Sequence, residues 1–100
     1  MSRLILAGDV GGTKTWLGLF ALGRPRPSLL ETRRYPTLEF DALTPMVARF
    51  LDRTGATGQV AAACFGVAGP VRANVSTLTN VPWVVDGAEI GRRLGIATVH

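Results

Sequence analysis

Residues 4–22 read LILAGDVGGTKTWLGLFAL, and this stretch decides the fold. A short apolar run over residues 4–7 comes first, and a longer one follows the pair Gly11-Gly12. Apolar runs of this length, bounded by glycine and polar residues, are typical of strands. The stretch therefore predicts two strands joined by a glycine-rich hairpin, with the second strand over residues 13–22 and a turn at residues 23–27.

The next segments indicate an outer strand and then a helix. Residues 28–35 mix apolar and polar side chains, as an edge strand does, before Pro36. Five apolar residues then recur at helical spacing: Leu43, Met46, Val47, Phe50 and Leu51. This pattern predicts a helix with Thr44 as its N-cap or a start at Asp41, and with Gly55 as its C-terminal stop.

The last third of the chain repeats the alternation of strand and helix. Residues 59–67, which are free of charged side chains and apolar after Gln59, predict a buried strand, while residues 71–80 suggest a small hairpin around Ala73-Asn74. Asp86 and Glu89 resemble a capping box for a helix that ends at Gly95, before a strand at residues 96–99. The predicted order is β-β-β-α-β-hairpin-α-β within one domain.

Composition narrows the class of protein. The chain has 100 residues, of which 47% are hydrophobic and 18% charged, as in a globular domain. No apolar stretch approaches the roughly 18 residues of a membrane span, and residues 4–8 are too short for the apolar region of a signal peptide. The net charge of +4 comes from scattered arginines. We therefore expect a cytoplasmic protein with no membrane and no nucleic-acid partner.

The metal-binding and redox residues are few. Cys64 is the only cysteine and lies in an apolar run, so we expect it to be buried and structural. With His100 as the only histidine, a zinc-type cluster is excluded within this chain. The sequon at residues 74–76 predicts nothing without a secretory signal.

Residues 8–15, GDVGGTKT, carry the chemistry. They miss the P-loop pattern because Thr13 stands where glycine is required and a strand follows, and Val10 breaks the dinucleotide fingerprint. Glycines at a hairpin tip can adopt left-handed backbone angles, so that successive amides converge on one anion, and Thr13 adds a hydroxyl. Asp9 offers a carboxylate suited to Mg²⁺ through its waters. A plain tight turn explains this segment alone equally well.

Three segments together resemble the bacterial glucokinase family of actin/hexokinase-type sugar kinases. They are residues 6–13 (LAGDVGGT), residues 65–71 (FGVAGPV) and residues 78–83 (LTNVPW). The resemblance runs along essentially the whole chain. It implies an α/β fold, a ribonuclease-H-like mixed sheet with flanking helices, which is the small N-terminal lobe of such a kinase.

The resemblance also implies an activity and a set of site residues. The full-length protein would be a glycolytic transferase that phosphorylates glucose at its 6-hydroxyl with ATP and Mg²⁺. The ATP phosphates would lie against six consecutive residues, with Asp9 also near the metal: Gly8, Asp9, Val10, Gly11, Gly12 and Thr13. Asn80 would lie toward the sugar, whereas for Trp83 core packing is favoured over sugar contact. Lys14 replaces an asparagine common in glucokinases but is frequent in related sugar kinases, so it bears on the subfamily only.

Members of this family are much longer than this chain. Their catalytic aspartate lies in an N-D-F-like stretch, expected just after the strand that begins at Ile96 and therefore beyond His100. Residues 1–100 are thus expected to be an N-terminal lobe that lacks the second lobe and is inactive alone. A homodimer is compatible with the resemblance.

Three alternatives to a glucokinase remain open. The first is a kinase for another hexose or an N-acetylhexosamine. The second is a sugar-responsive repressor, which is disfavoured because a motif that begins at Gly8 leaves no room for a preceding helix-turn-helix. The third is a non-catalytic domain that shares the lobe.

Overall fold

The computed structural model describes residues 3–23, 26–67, 71–78 and 82–100. Within these ranges lie seven strands, two α-helices and a 3-10 turn at Thr37–Glu39. The elements are β1 (Leu4–Val10), β2 (Lys14–Ala21), β3 (Ser28–Pro36), α1 (Leu43–Thr54), β4 (Val60–Val67), β5 (Val75–Thr77), β6 (Val84–Asp86), α2 (Gly87–Leu94) and β7 (Thr98–Val99).

The predicted order of strands and helices is confirmed, but the segment predicted as a hairpin at residues 71–80 pairs mainly with a later strand. The hairpin expected around Ala73 and Asn74 is reduced to a single bridge between Arg72 and Val75, with the two turn residues at φ 51° and 64°. The longer pairing joins β5 to β6 in a separate two-stranded antiparallel sheet. Between β5 and β6 the amide of Leu78 donates to the carbonyl of Trp83 at 3.1 Å, and residues 79–81 lie outside the described part.

The main sheet has five strands in the order β3-β2-β1-β4-β7. Strands β1, β2 and β3 run antiparallel in succession, while β4 and β7 are parallel to β1. Parallel strands end at the same edge of a sheet, so the carboxyl ends of β1, β4 and β7 share one edge. The connection between β1 and β2 lies at that edge.

The core lies between one face of this sheet, here called the inner face, and the two helices. Leu6, Leu17 and Leu19 point inward from β1 and β2. All five apolar positions predicted for the first helix are buried against them. In α2, Ile90 is buried and Leu94 packs at the margin of the core, as their spacing predicts.

The predicted end residues are confirmed at three of the four helix ends. Gly55 and Gly95 take left-handed C-cap conformations, with φ of 71° and 69°, and the Asp86 side chain caps α2. The predicted starts of α1 at Asp41 or with Thr44 as N-cap are wrong, because the N-cap is Ala42, which has no side-chain hydrogen bond. Phe40, after the 3-10 turn, and Ala42, before α1, both have extended backbone angles.

The opposite side of the sheet, the outer face, is open to solvent in the described residues. The prediction that Cys64 is buried is wrong, since its side chain lies on this face and is exposed. Residues 60–67 are apolar throughout, but only Val60 and Ala63 are buried, so the expectation of a strand buried on both sides is also wrong. A strand sends alternate side chains to opposite faces, and the helices cover only the inner one.

The described part of the chain contains no helix that is long and apolar enough to cross a membrane.

Candidate phosphate-binding hairpin

Strands β1 and β2 form a long antiparallel hairpin whose tip is residues 11–13. The two strands stay in register from the pair Leu4 and Ala21 to the pair Val10 and Thr15. The amide of Gly11 then donates to the carbonyl of Lys14 at 3.1 Å, which closes the tip. The strand–turn–strand arrangement predicted for the glycine-rich segment is therefore confirmed, and no helix follows the glycines.

Two glycines of this segment, Gly8 and Gly11, are required for close packing. The expectation that the tip glycines adopt left-handed angles is wrong, because among the described glycines only Gly55, Gly58 and Gly95 have positive φ. A Cβ on Gly11 would lie 2.7 Å from the carbonyl oxygen of Lys14, so the two arms of the hairpin approach too closely for a side chain there. Gly8 also has no room for a side chain, because a Cβ there would lie too close to the ring of Phe65 on the inner face.

The tip offers hydrogen-bond donors to an incoming anion. Gly12 and Thr13 are both exposed. Within the described residues, no backbone hydrogen bond uses the amide of either one. Two amides and the Thr13 hydroxyl are therefore available at an edge of the sheet, and such groups in a turn are suited to bind phosphate oxygens.

Asp9 places a carboxylate beside the tip. Its side chain is exposed on the outer face, in a row across the sheet with Trp16 on β2 and Gly66 on β4. Gly66 has no side chain, so this neighbour places no side-chain atom beside the carboxylate. On the other side, the guanidinium carbon of Arg34 lies 5.4 Å from the centroid of the Trp16 ring, a cation–π contact.

The donor set suits a magnesium ion that is held mainly by its substrate. Within the described residues, no group of three or more His, Cys, Asp or Glu side chains is arranged to hold a metal. Mg²⁺ keeps several waters and is usually held by one or two carboxylates together with substrate phosphates. A single exposed carboxylate such as that of Asp9 fits this mode of binding.

Val10, Asn80 and Trp83 are the other residues that the sequence analysis considered near the site. The side chain of Val10 is buried in the core, so only its backbone could meet a ligand. Asn80 lies outside the described residues, as do residues 68–70 of the second quoted motif. Trp83 is buried, and its Nε1–H donates to the carbonyl of Phe40 at 3.1 Å, so the predicted core role is confirmed.

Two residues beside the tip are absent from the sequence-based set. Thr37 donates its hydroxyl to the Gly11 carbonyl at 2.7 Å and lies 2.8 Å from the hydroxyl of Thr15. Thr15 alternates with Leu17 and Leu19 on β2, so its inward direction could be read from the sequence. Thr37 follows a strand that is mostly exposed, and nothing local in the sequence marks it.

Comparison with known proteins identifies the family. The family model described as glucokinase matches residues 6–100. A glucokinase of Synechocystis sp. is 41% identical over 103 residues, covering 94% of this chain and 29% of the relative. A glucokinase of Nostoc sp. is 37% identical over 94 residues, covering 93% of this chain and 28% of the relative. The chain thus spans less than a third of the length of these curated relatives.

A solved structure supports the fold. The crystal structure of a glucokinase from an Antarctic psychrotroph superposes with a TM-score of 0.82 at 24% identity, and the match covers 96% of this chain and 30% of that one. The predicted fold class is therefore confirmed: a mixed sheet with flanking helices that matches the N-terminal lobe of the actin/hexokinase-type fold.

Proposed function

This chain belongs to the glucokinase family, and we propose that the full-length protein containing it transfers the γ-phosphoryl group of ATP to the 6-hydroxyl of glucose. Residues 1–100 form the N-terminal lobe of this kinase. The catalytic aspartate and the second lobe come from sequence beyond residue 100, so the isolated lobe is inactive.

The observation that carries this proposal is the exposed tip of the β1–β2 hairpin. The amides of Gly12 and Thr13, which no backbone carbonyl of the described residues accepts from, and the carboxylate of Asp9 lie at one edge of the sheet. The amides bind the oxygens of the ATP phosphates, and Asp9 lies near the magnesium ion that accompanies them. Mg²⁺, when bound, neutralises charge on the transferring phosphoryl group.

The direction of the parallel strands supports a single reaction site at this edge. Strands β4 and β7 run parallel to β1, so their carboxyl ends lie at the edge of the sheet where Asp9 lies. A catalytic aspartate just after β7 would therefore enter the site from the same side as the phosphates. There it would accept the proton of the sugar hydroxyl as the phosphoryl group is transferred.

Positioning accounts for most of the proposed catalysis. Phosphoryl transfer needs little covalent chemistry from the protein, so holding donor and acceptor in line is the main contribution of the site. The hairpin fixes the phosphates from the N-terminal lobe, and the second lobe closes over the sugar. Closure excludes water, which would otherwise compete with glucose as the acceptor.

A coupled ATP and glucose assay on the full-length protein tests the proposal. Asp9→Ala and Gly12→Val are each expected to lower kcat/KM for ATP by roughly a hundredfold, since each removes or blocks a group that stabilises developing charge. Asp52→Ala, an exposed substitution on α1, is the control and is expected to leave turnover unchanged. Turnover unaffected by both hairpin changes would refute the assigned role.

Substrate, assembly and location are the finer parts of the proposal. Glucose is the expected substrate, and a panel containing mannose and N-acetylhexosamines would reveal a kinase for another sugar. We propose that the protein acts in the cytoplasm, where ATP is supplied. A homodimer stays a prediction, which light scattering on the purified full-length protein would test.

A further inference from the structure

Two buried hydroxyl groups lie directly behind the hairpin tip. Thr15 on β2 and Thr37 in the 3-10 turn are both 0% exposed. Their Oγ1 atoms are 2.8 Å apart, although 22 residues separate them in the chain. Burying a hydroxyl group costs free energy unless the group is hydrogen-bonded. The hydrogen bonds of these two hydroxyls therefore offset the cost of their burial.

The hydrogen bonds run in one direction, toward the tip. The Gly11 carbonyl oxygen lies 2.7 Å from Thr37 Oγ1 and can only accept, so Thr37 donates its single hydroxyl hydrogen to it. Thr15 must then donate to Thr37. The result is a chain from the Thr15 hydroxyl through the Thr37 hydroxyl to the Gly11 carbonyl.

The backbone of Thr37 holds the tip at a second point. Its amide donates to the carbonyl of Thr13 at 2.9 Å. One residue therefore holds the carbonyls of Gly11 and Thr13, on either side of Gly12. In a trans peptide the N–H points away from the preceding C=O, so fixing the Gly11 carbonyl toward Thr37 directs the Gly12 N–H away from the core.

We infer that Thr37, supported by Thr15, is a positioning residue that fixes the Gly12 amide in its phosphate-binding direction. This inference rests on the proposed function. Glycine has more backbone freedom than any other residue, so an exposed tip with two of them would otherwise sample many orientations. Donors held in place before the ligand arrives bind it more tightly than donors that must be ordered on binding.

Nucleotide affinity in the full-length protein tests this inference. Thr37→Val keeps the shape of the side chain and removes the hydroxyl, and is expected to raise the Kd of Mg²⁺–ADP, measured calorimetrically without sugar, by about tenfold. KM for ATP should rise with it, while KM for glucose stays within about twofold. Thr37→Ser restores the hydroxyl and is expected to bind Mg²⁺–ADP like the wild type.

A matched control comes from the C-terminal end of α1. Thr54 donates its hydroxyl to the Phe50 carbonyl at 2.9 Å, a similar bond far from the hairpin. Thr54→Val should therefore leave the Kd of Mg²⁺–ADP unchanged. If a lost hydroxyl bond acted only by lowering stability, Thr54→Val and Thr37→Val would change nucleotide affinity alike, and the inference would be overturned.

A second variant keeps the test decisive if Thr37→Val fails to fold. Thr15→Val leaves the bond from Thr37 to Gly11 in place and removes only its support, so a rise in Kd of about threefold is expected. An unchanged Kd in the variants that fold overturns the positioning role, provided that Gly12→Val weakens the binding of Mg²⁺–ADP. If Gly12→Val also binds normally, the proposed function itself fails.

Discussion

Gly8 shows that a glycine in a ligand-binding motif can be required by the core. A Cβ on this residue would lie 2.5 Å from Phe65 Cδ1 and 3.1 Å from Leu17 Cδ2. The ring of Phe65, on the neighbouring strand β4, thus fills the space that a side chain would need. Gly8 can take part in binding only through its backbone, while its missing side chain serves packing.

Replacement of Gly8 by alanine is expected to destabilise the protein. The added methyl group forces Phe65 or β1 to shift, and overpacking of this kind costs about 1–3 kcal/mol of unfolding free energy. Gly66→Ala is the control, since the nearest atom to its Cβ is the Gly8 carbonyl oxygen at 3.9 Å. Urea denaturation of both variants measures the difference, and equal losses of stability would show that packing is not the reason for Gly8.

At the scale of the elements, the two helices begin in different ways. Asp86 Oδ1 accepts hydrogen bonds from the amides of Ala88 at 3.0 Å and Glu89 at 3.2 Å, so α2 has a side-chain cap. In contrast, α1 begins after Ala42 with no side-chain cap. Its start is stabilised by burial of its apolar face, and its first amides gain nothing from a local side chain.

Loss of the cap on α2 is expected to lower stability. Asp86→Ala removes the acceptor for two helix amides and should cost about 1 kcal/mol, whereas Asp86→Asn keeps a side-chain oxygen and should stay within a few tenths of a kcal/mol of the wild type. Thermal and urea unfolding of the two variants measure this. A similar loss in both would indicate that the charge of Asp86, and not its capping bond, stabilises the helix.

Adding a side-chain cap to α1 is expected to raise stability. Ala42→Ser supplies a hydroxyl to amides that lack a side-chain partner and should raise the free energy of unfolding by about 0.5–1 kcal/mol. Ala48→Ser, in the middle of the same helix, should lower it slightly because serine is a weaker helix former. Urea titration compares the pair, and a loss of stability at position 42 would show that the backbone there cannot accept a cap.

Elements with local signals could be predicted from the sequence, and those set by distant contacts could not. Gly55, Gly95 and Asp86 mark helix ends through the conformation or the hydrogen bond that each residue provides. The side of β4 on which Cys64 lies could not be read, because a run that is apolar at every position has no alternation. The role of Thr37 was equally hidden, since its partners Gly11 and Thr15 are 26 and 22 residues away.

The whole molecule has one covered face and one open face. The inner face packs on both helices, while on the outer face Trp16 is 46% exposed and Leu29 57% exposed. Cys64 lies on this outer face as well. Ala63, one residue earlier on β4, points the other way and is buried. Two adjacent residues of β4 thus differ, with Cys64 exposed to solvent and Ala63 buried in the core.

Thiol reactivity should distinguish the two faces in a protein made of residues 1–100. Cys64 is expected to react with an aromatic disulfide reagent at nearly the rate of a free thiol, because it is exposed. A thiol introduced by Ala63→Cys, in a Cys64→Ser background, should react at least about a hundredfold more slowly, since only local or global unfolding exposes it. Equal rates would show that this part of the chain does not hold the described sheet.

The proposed kinase activity depends on a hairpin tip that binds nucleotide phosphates through its amides. A crystal structure of the full-length protein with Mg²⁺ and a non-hydrolysable ATP analogue tests it most directly. A phosphate oxygen is predicted to lie within about 3.2 Å of the amide nitrogen of Gly12 or Thr13, with Asp9 on the metal side. A triphosphate bound elsewhere, with these two amides in contact with water only, would contradict the claim.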